Sequence, residues 1–392
     1  MSGEGGADWR YGFAAGDGAI ELHDGDVIPL GNIRLTAMHT PGHTPEHLCF
    51  SVTDGAATDQ PMGLLTGDFL FVGDVGRPDL LERAAHVANT MEAGARALWA
   101  SLRRLDALPD WLQVWPGHGA GSACGKALGA VPQSTLGYER LVNWAFRHTS
   151  EQAFVDDVLA GQPEPPAYFA QMKRINKDGP PVLGGLPVPR RGTALDAHAW
   201  LHDGARVVDT RDAAAFAERH LPGTLNLPYG RSFTTWAGAL LDYAADVLLL
   251  VPDDATADRA ARDLMTIGFD RVALAVDAAS ALAGAPTEAV PQWTPVAAAG
   301  ALDAGTVRVL DVRGRSEWAT GHIAGALHIP LPELPARLAE VPRDGTLLVQ
   351  CAAGGRSAIA ASLLRAAGVT AAENLAGGLA AWTAQGLPTL RN

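Results

Sequence analysis

The chain has 392 residues, 47% hydrophobic and 19% charged, a globular composition with room for roughly two to four domains. A formal net charge of -13 argues against nucleic acid or an anionic membrane as a partner. Three cysteines (Cys49, Cys124, Cys351) are too few and too odd in number for a disulfide framework, and no run of about 18 apolar residues occurs. The first residues lack the basic start and apolar core of a signal peptide, so a reducing, cytoplasmic setting is expected.

The first segment, residues 1–185, carries three strand-like runs, each ending in His or Asp beside Gly or Pro. Ile33–Met38 leads into His39-Thr-Pro-Gly-His43-Thr-Pro-Glu-His47, and Leu64–Phe71 is broken by Gly67-Asp68. Leu112–Trp115 runs into Pro116-Gly-His118-Gly. Imidazole plus carboxylate at strand ends is a ligand set for a divalent metal such as zinc or iron. His23-Asp24-Gly25-Asp26 reads as a hairpin turn.

These motifs resemble the later motifs of the metallo-β-lactamase fold. Phe71-Val-Gly-Asp-Val-Gly-Arg77-Pro-Asp-Leu80, the loop Gly119–Lys126 and the tail Tyr168–Lys177 resemble the persulfide dioxygenase branch fused to tandem rhodanese domains. The resemblance implies an αββα fold and one Fe(II) per chain, held by two His and one Asp. It implies His43 and Asp68 as metal ligands, Arg77 as a substrate anchor, and Cys124 and His118 as pocket residues. The family's His-x-His-x-Asp-His signature, the source of the first iron His, is absent from all twelve histidines. Only His23 and His39 precede His43, so iron is expected only if the missing His is restored. Trp9-Arg-Tyr-Gly12 reads as the middle of a domain, and on the order of 70 residues are expected to be missing ahead of it, either from a misplaced start or because the domain is a degenerate form without oxygenase activity.

Gly184-Gly-Leu-Pro-Val-Pro189 reads as a linker, and an internal repeat follows. Asp209-Thr-Arg211 matches Asp311-Val-Arg313, and His220-Leu-Pro-Gly223 matches His322-Ile-Ala-Gly325 at the same offset. Alternating strand and helix patterns predict parallel sheets covered on both faces, so the whole is a multi-domain α/β chain. Both copies resemble rhodanese domains, 186–285 and 286–392, with the Asp-x-Arg pair expected to brace a sheet end.

The second copy carries the reactive stretch. Leu347–Val349 predicts a buried strand, and Ser357–Ala367 a helix. Between them lie Cys351-Ala352-Ala353-Gly354-Gly355-Arg356. A thiol below a helix N-terminus faces backbone N–H groups that favour negative charge on sulfur. Arg356 would close the cradle as a cation, with Ser357 behind it. Four residues separate Cys351 from Arg356, one fewer than in cysteine phosphatases, which suits the outer sulfur of a persulfide better than a phosphate. In the first copy Pro252 falls where Cys351 sits, followed by Asp253-Asp254, so that copy is expected to be silent.

The resulting expectation is a sulfurtransferase acting through a Cys351 persulfide, fused to an iron-dependent persulfide dioxygenase-like domain. Its partners would be a low-molecular-weight thiol persulfide (glutathione or similar), thiosulfate and sulfite. Homo-oligomerisation stays open. A glyoxalase II-type hydrolase with rhodanese domains, a non-catalytic sulfur-binding scaffold and a small-loop phosphatase or arsenate reductase are the alternatives.

Overall fold

The computed structural model describes residues 2–6, 11–14, 16–83, 87–120, 122, 124–126, 128–162, 164–166 and 168–391. Trp9, Arg10, Gly121 and Ala123 of the motifs above lie outside the described residues. The chain divides into two compact units, Met1–Pro181 and Val182–Asn392.

The first unit is built on one six-stranded sheet, ordered β1 (Val27–Leu30), β2 (Ile33–His39), β3 (Leu48–Asp54), β4 (Gly63–Gly67), β5 (Gln113–Pro116) and β6 (Ser134–Thr135). Neighbours run antiparallel except β4 and β5, whose parallel pairing needs the crossover helix Met91–Arg104. Ala95, Leu98 and Leu102 of that helix and Phe154, Val155 and Val158 of the helix Glu151–Leu159 pack with Cys49, Leu64 and Val114. On the other face of the sheet, Leu30 and Leu65 stay 58% and 40% exposed. The described residues thus show one sheet and its helices rather than both sheets of an αββα sandwich. The hairpin loop falls at Gly31-Asn32, between β1 and β2, not at Asp24-Gly25. Asp26 instead accepts the His23 N–H at 2.7 Å and closes a turn ahead of β1.

The second unit holds two five-stranded parallel sheets of the same order. One runs β7 (Arg190–Arg191), β11 (Val272–Asp277), β10 (Val247–Val251), β8 (Arg206–Asp209), β9 (Leu225–Asn226). The other runs β12 (Gln292–Trp293), β16 (Ala372–Leu375), β15 (Thr346–Gln350), β13 (Val307–Asp311), β14 (Leu327–His328). The central strands are mostly apolar because both faces are covered; Val247–Val251 is apolar and buried at every position, and Leu347–Val349 of β15 is likewise.

The Asp-x-Arg pairs brace the sheet ends. The Arg313 guanidinium donates to both Asp311 oxygens, Nη2 at 2.7 Å, and to the Gly321 carbonyl at 2.8 Å. Arg211 repeats this with Asp209 and the Arg219 carbonyl. The repeated histidines stack on an aromatic of the preceding helix, His220 on Phe216 at 4.0 Å and His322 on Trp318 at 3.7 Å. The two halves also meet directly: the Asn226 N–H donates to Ser362 Oγ at 2.9 Å, and the Glu288 N–H donates to the His220 carbonyl at 2.9 Å.

Asp311 is fully buried and Arg313 nearly so, so removing one partner strands a charge. Asp311→Ala is expected to cost about 3–5 kcal/mol in urea unfolding of the whole chain. A loss near the ~0.5 kcal/mol of an ordinary surface change would show that the pair is not a brace.

Candidate functional site

Two constellations meet the chemical criteria, one in each unit. In the second unit, β15 delivers Cys351 to the carboxyl end of a parallel strand, and the helix Gly355–Ala366 begins four residues on. The helix starts two residues earlier than its Ala- and Leu-rich pattern predicts, because Gly354 turns the chain with φ +95°. That turn brings the Gly354 N–H to 3.1 Å from Cys351 Sγ, and Ser357 Oγ lies at 3.4 Å. Ser357 also donates to the Gly354 carbonyl at 3.0 Å, which fixes it under the loop.

The loop carbonyls are held from behind by residues the sequence reading did not single out. Leu379 and Ala380, at the start of the helix Gly378–Ala384, donate their N–H groups to the Cys351 and Ala352 carbonyls at 2.8 and 2.9 Å. Gly378 has φ +56°, and a Cβ there would stand 2.2 Å from the Cys351 carbonyl oxygen. The signal was present as a Gly-Gly pair directly after a strand, Leu375-Ala-Gly377-Gly378.

Arg356 is where the sequence places it, with a partner the sequence reading missed. Glu317, from the helix Arg315–Thr320, binds the guanidinium through two bonds of 2.6 Å. The arginine is held above its usual range first by Glu317 and then by Cys351, while Arg356 holds Glu317 below the usual carboxylate range. The Glu317 helix is fixed by its neighbour Trp318, which stacks on both His322 and His328 at 3.7 and 4.5 Å. Arg356 is therefore an oriented, charge-paired group rather than a free cation.

A cavity of 380 Å³ opens over Cys351. Its near wall is Cys351, Ala352, Ala353, Gly355 and Arg356, and its far wall comes from the first repeat, including Leu227, Phe233 and Trp236. At the equivalent of the cysteine loop the first repeat has a helix cap instead: Asp253 accepts the Thr256 N–H at 2.7 Å, and Arg191 takes Asp254 at 2.6 Å and Asp258 at 2.8 Å.

In the first unit, β2, β4 and β5 end on one side and bring His43, Asp68 and His118 together. His43 Nε2 lies 3.4 Å from Asp68 Oδ2, and His118 Nε2 lies 3.1 Å from Asp68 Oδ1. Cys124 Sγ joins Asp68 and His118 within a 4.8 Å cluster. The residues fit a metal on two observations. Donor atoms at ~2.1 Å from one cation sit roughly 3 Å apart; Asp68 stands 3.1 Å from His118 and 3.4 Å from His43, while the group that closes within 4.8 Å on all sides is Asp68, His118 and Cys124. The other ring nitrogen of His43, Nδ1, bonds the Arg77 carbonyl at 3.1 Å, which fixes the tautomer that leaves Nε2 as the donor. Burial pulls His43 below the usual imidazole value, so it stands neutral.

His47, which the sequence reading passed over, accepts the Asp68 N–H on Nε2 at 3.1 Å and bonds Thr40 Oγ1 through Nδ1 at 2.9 Å. Burial lowers its pKa to about 4, so it stays neutral and orients the aspartate loop. His39 turns away and bonds the Pro45 carbonyl at 2.7 Å. Arg77, expected as a substrate anchor, is instead fully buried: Nε and Nη2 donate to Asp79 at 2.8 Å each, and its N–H meets the Cys124 carbonyl at 3.3 Å. Cys124 is half-buried, its thiol raised by that burial, and Cys49 is buried with its thiol pushed up to about 12.

Comparison with known proteins agrees with this division. Residues 2–118 match the metallo-beta-lactamase superfamily and residues 294–385 the rhodanese-like domain. A crystal structure of a metallo-beta-lactamase from Staphylococcus aureus subsp. aureus COL superposes with a TM-score of 0.60 at 38% identity, covering 70% of this chain and 75% of that one. A human thiosulfate:glutathione sulfurtransferase is 37% identical over 115 residues, 26% of this chain and 96% of the relative. A hydroxyacylglutathione hydrolase of Maricaulis maris is 35% identical over 101 residues, 26% of this chain, which spans only 32% of that relative's length. The chain belongs to the metallo-β-lactamase superfamily and carries a rhodanese-like domain at its C-terminal end.

Glu317 has a lowered pKa, so its pairing with Arg356 contributes stability that is present above the unfolded carboxylate value of 4.5 and lost as pH falls through the lower folded value. The stability difference between the unmodified chain and Glu317→Gln is expected to be constant from pH 7 to 5 and to shrink in more acid solution. A difference that grows on acidification would contradict the pairing.

Proposed function

We propose that this chain handles sulfane sulfur, with a sulfurtransferase centre at Cys351 and a persulfide dioxygenase-type centre at His43 and Asp68. The observation that carries the reading is the Cys351 loop, with an N–H aimed at the sulfur and a tethered arginine at its rim. The name of the human relative, which covers nearly all of that protein's length, supports the same chemistry.

In the transfer step the Cys351 thiolate attacks the outer sulfur of a donor, thiosulfate or a thiol persulfide. The donor S–S bond breaks, sulfite or a thiolate leaves with its electron pair, and Cys351 keeps the sulfur as a persulfide. The loop N–H groups and the helix N-terminus stabilise the negative charge on the outer sulfur. Sulfite, glutathione or a similar thiol then removes that sulfur and regenerates the thiolate. The small loop leaves room for one sulfur atom rather than a phosphate group. Residues 186–285 serve as a silent second rhodanese-like domain, because proline and paired carboxylates occupy the place of the thiol.

In the first unit His43, Asp68 and His118 would hold one divalent cation, Fe(II) on this reading, with Cys124 at its side. A bound iron would supply the redox chemistry by which a thiol persulfide, dioxygen and water become a thiol and sulfite. Around it, His43 is kept as a neutral donor by the Arg77 carbonyl, His47 holds the Asp68 backbone, and the Arg77–Asp79 pair keeps the wall rigid. Sulfite made there is an acceptor for sulfur at Cys351, giving thiosulfate.

Cys351→Ser is expected to abolish cyanide-dependent sulfur transfer and the gain of one sulfur mass on incubation with thiosulfate, while leaving metal binding unchanged. Retained transfer would remove the sulfurtransferase reading. Iron titration under anaerobic conditions should show about one site per chain, with affinity falling at least tenfold in His43→Ala. Equal affinity in the two proteins would place the metal elsewhere or nowhere.

A further inference from the structure

The cavity over Cys351 has a second wall, and its chemistry differs from what a small inorganic anion would need. Phe233 and Trp236 lie on the helix Phe233–Leu240 of the first repeat, and Leu227 and Pro228 follow β9. Ile359 completes the apolar lining from the reactive half. Phe233 and Leu227 are buried, whereas Trp236 is half-buried and lines the cavity. Among the described lining residues Arg356 is the one charged side chain, and Glu317 already takes two of its N–H bonds.

Charge and size point the same way. Thiosulfate and sulfite are strongly hydrated dianions that gain from the loop N–H groups and Arg356 but from nothing in the apolar far wall. They also fill a small part of 380 Å³. A cavity of that size, mostly apolar with one oriented polar group, fits an organic molecule. The aromatic edge of Trp236 gives such a molecule contact area that an inorganic anion cannot use.

We infer that the first, silent repeat is the substrate-selecting wall of the Cys351 centre, and that Trp236 favours an organic thiol persulfide over inorganic thiosulfate as sulfur donor. The inference rests on the sulfurtransferase reading given above. In the selected reaction an organic persulfide anion gives its outer sulfur to the Cys351 thiolate. The donor S–S bond breaks as the Cys–S–S bond forms, and the organic thiolate leaves with the electron pair. No oxidant or reductant is needed. The organic body rests against Trp236 and Phe233 while the transferred sulfur enters the loop under the Gly354 N–H.

The test compares kcat/KM for glutathione persulfide and for thiosulfate, with cyanide as common acceptor, in the full-length chain and in Trp236→Ala and Trp236→Phe. Trp236→Ala is expected to lower the value for the organic donor about tenfold and to leave that for thiosulfate within about twofold, an aromatic contact's worth of discrimination. Trp236→Phe should recover most of the loss, mainly through KM. Equal losses for both donors would mark Trp236 as merely structural, and no loss for the organic donor would put the selecting wall elsewhere; either overturns the inference and leaves sulfur transfer intact. If the unmodified chain takes sulfur onto Cys351 from neither donor, as read by intact mass, the sulfurtransferase reading itself fails and the inference falls with it.

Discussion

The reactive half depends on how the carbonyls of one short loop are satisfied. The turn that brings the Gly354 N–H to the Cys351 sulfur leaves the Cys351 and Ala352 carbonyls facing the start of the helix Gly378–Ala384. An unpaired buried carbonyl costs free energy comparable to a lost hydrogen bond. The N–H groups of Leu379 and Ala380 meet that demand, and they can come close because Gly378 has no Cβ to strike the Cys351 carbonyl. The N-terminus of one helix therefore holds the loop from behind while the N-terminus of another faces the sulfur. β15, between β13 and β16, fixes the distance between them.

The same economy explains why the two repeats diverged together at several positions. By the repeat register, Ala215 stands at the place of Glu317, and by the strand alignment Ala257 stands at the place of Arg356 and Pro252 at that of Cys351. A carboxylate without its arginine would be a half-buried charge without a partner, and the arginine without the carboxylate would be free to collapse onto the thiolate. All three functional groups are absent in one copy and present in the other. What both copies keep is architectural: the Asp-x-Arg brace and the stacked histidine. The first copy then has surface to spare for another task, and it presents that surface to the cavity over Cys351.

Where the sequence was legible, a local rule was strong. The strand before Cys351, the helix after it, the repeat and the brace each follow from periodicity, Gly placement or exact recurrence. The convergence of His43 and Asp68 was legible because both sit where strands end beside Gly. Glu317 was not, since it lies far from the loop in sequence and reads as an ordinary acidic residue in the first turn of a helix. Arg77 misled for the opposite reason. The resemblance makes it a substrate anchor, but Asp79 two residues on supplies a bidentate partner, and the pair is buried whole. His47 was hidden by its neighbours, because in a run with three histidines nothing local says which donates to a cation and which supports a backbone.

The first-unit cluster shows how far geometry narrows such a choice. Three imidazoles approach the Asp68 loop, and their second nitrogens sort them. His47 has both nitrogens engaged within the protein, one by Thr40 and one by the Asp68 N–H, so it has no lone pair to offer. His43 spends Nδ1 on the Arg77 carbonyl and keeps Nε2 for Asp68. His118 is 44% exposed and brings only Nε2 to the carboxylate. Two imidazole nitrogens, from His43 and His118, are left facing the Asp68 carboxylate, with the Cys124 thiol beside it. The hydrogen bond made by the far nitrogen, which no motif records, is what separates His43 from His47.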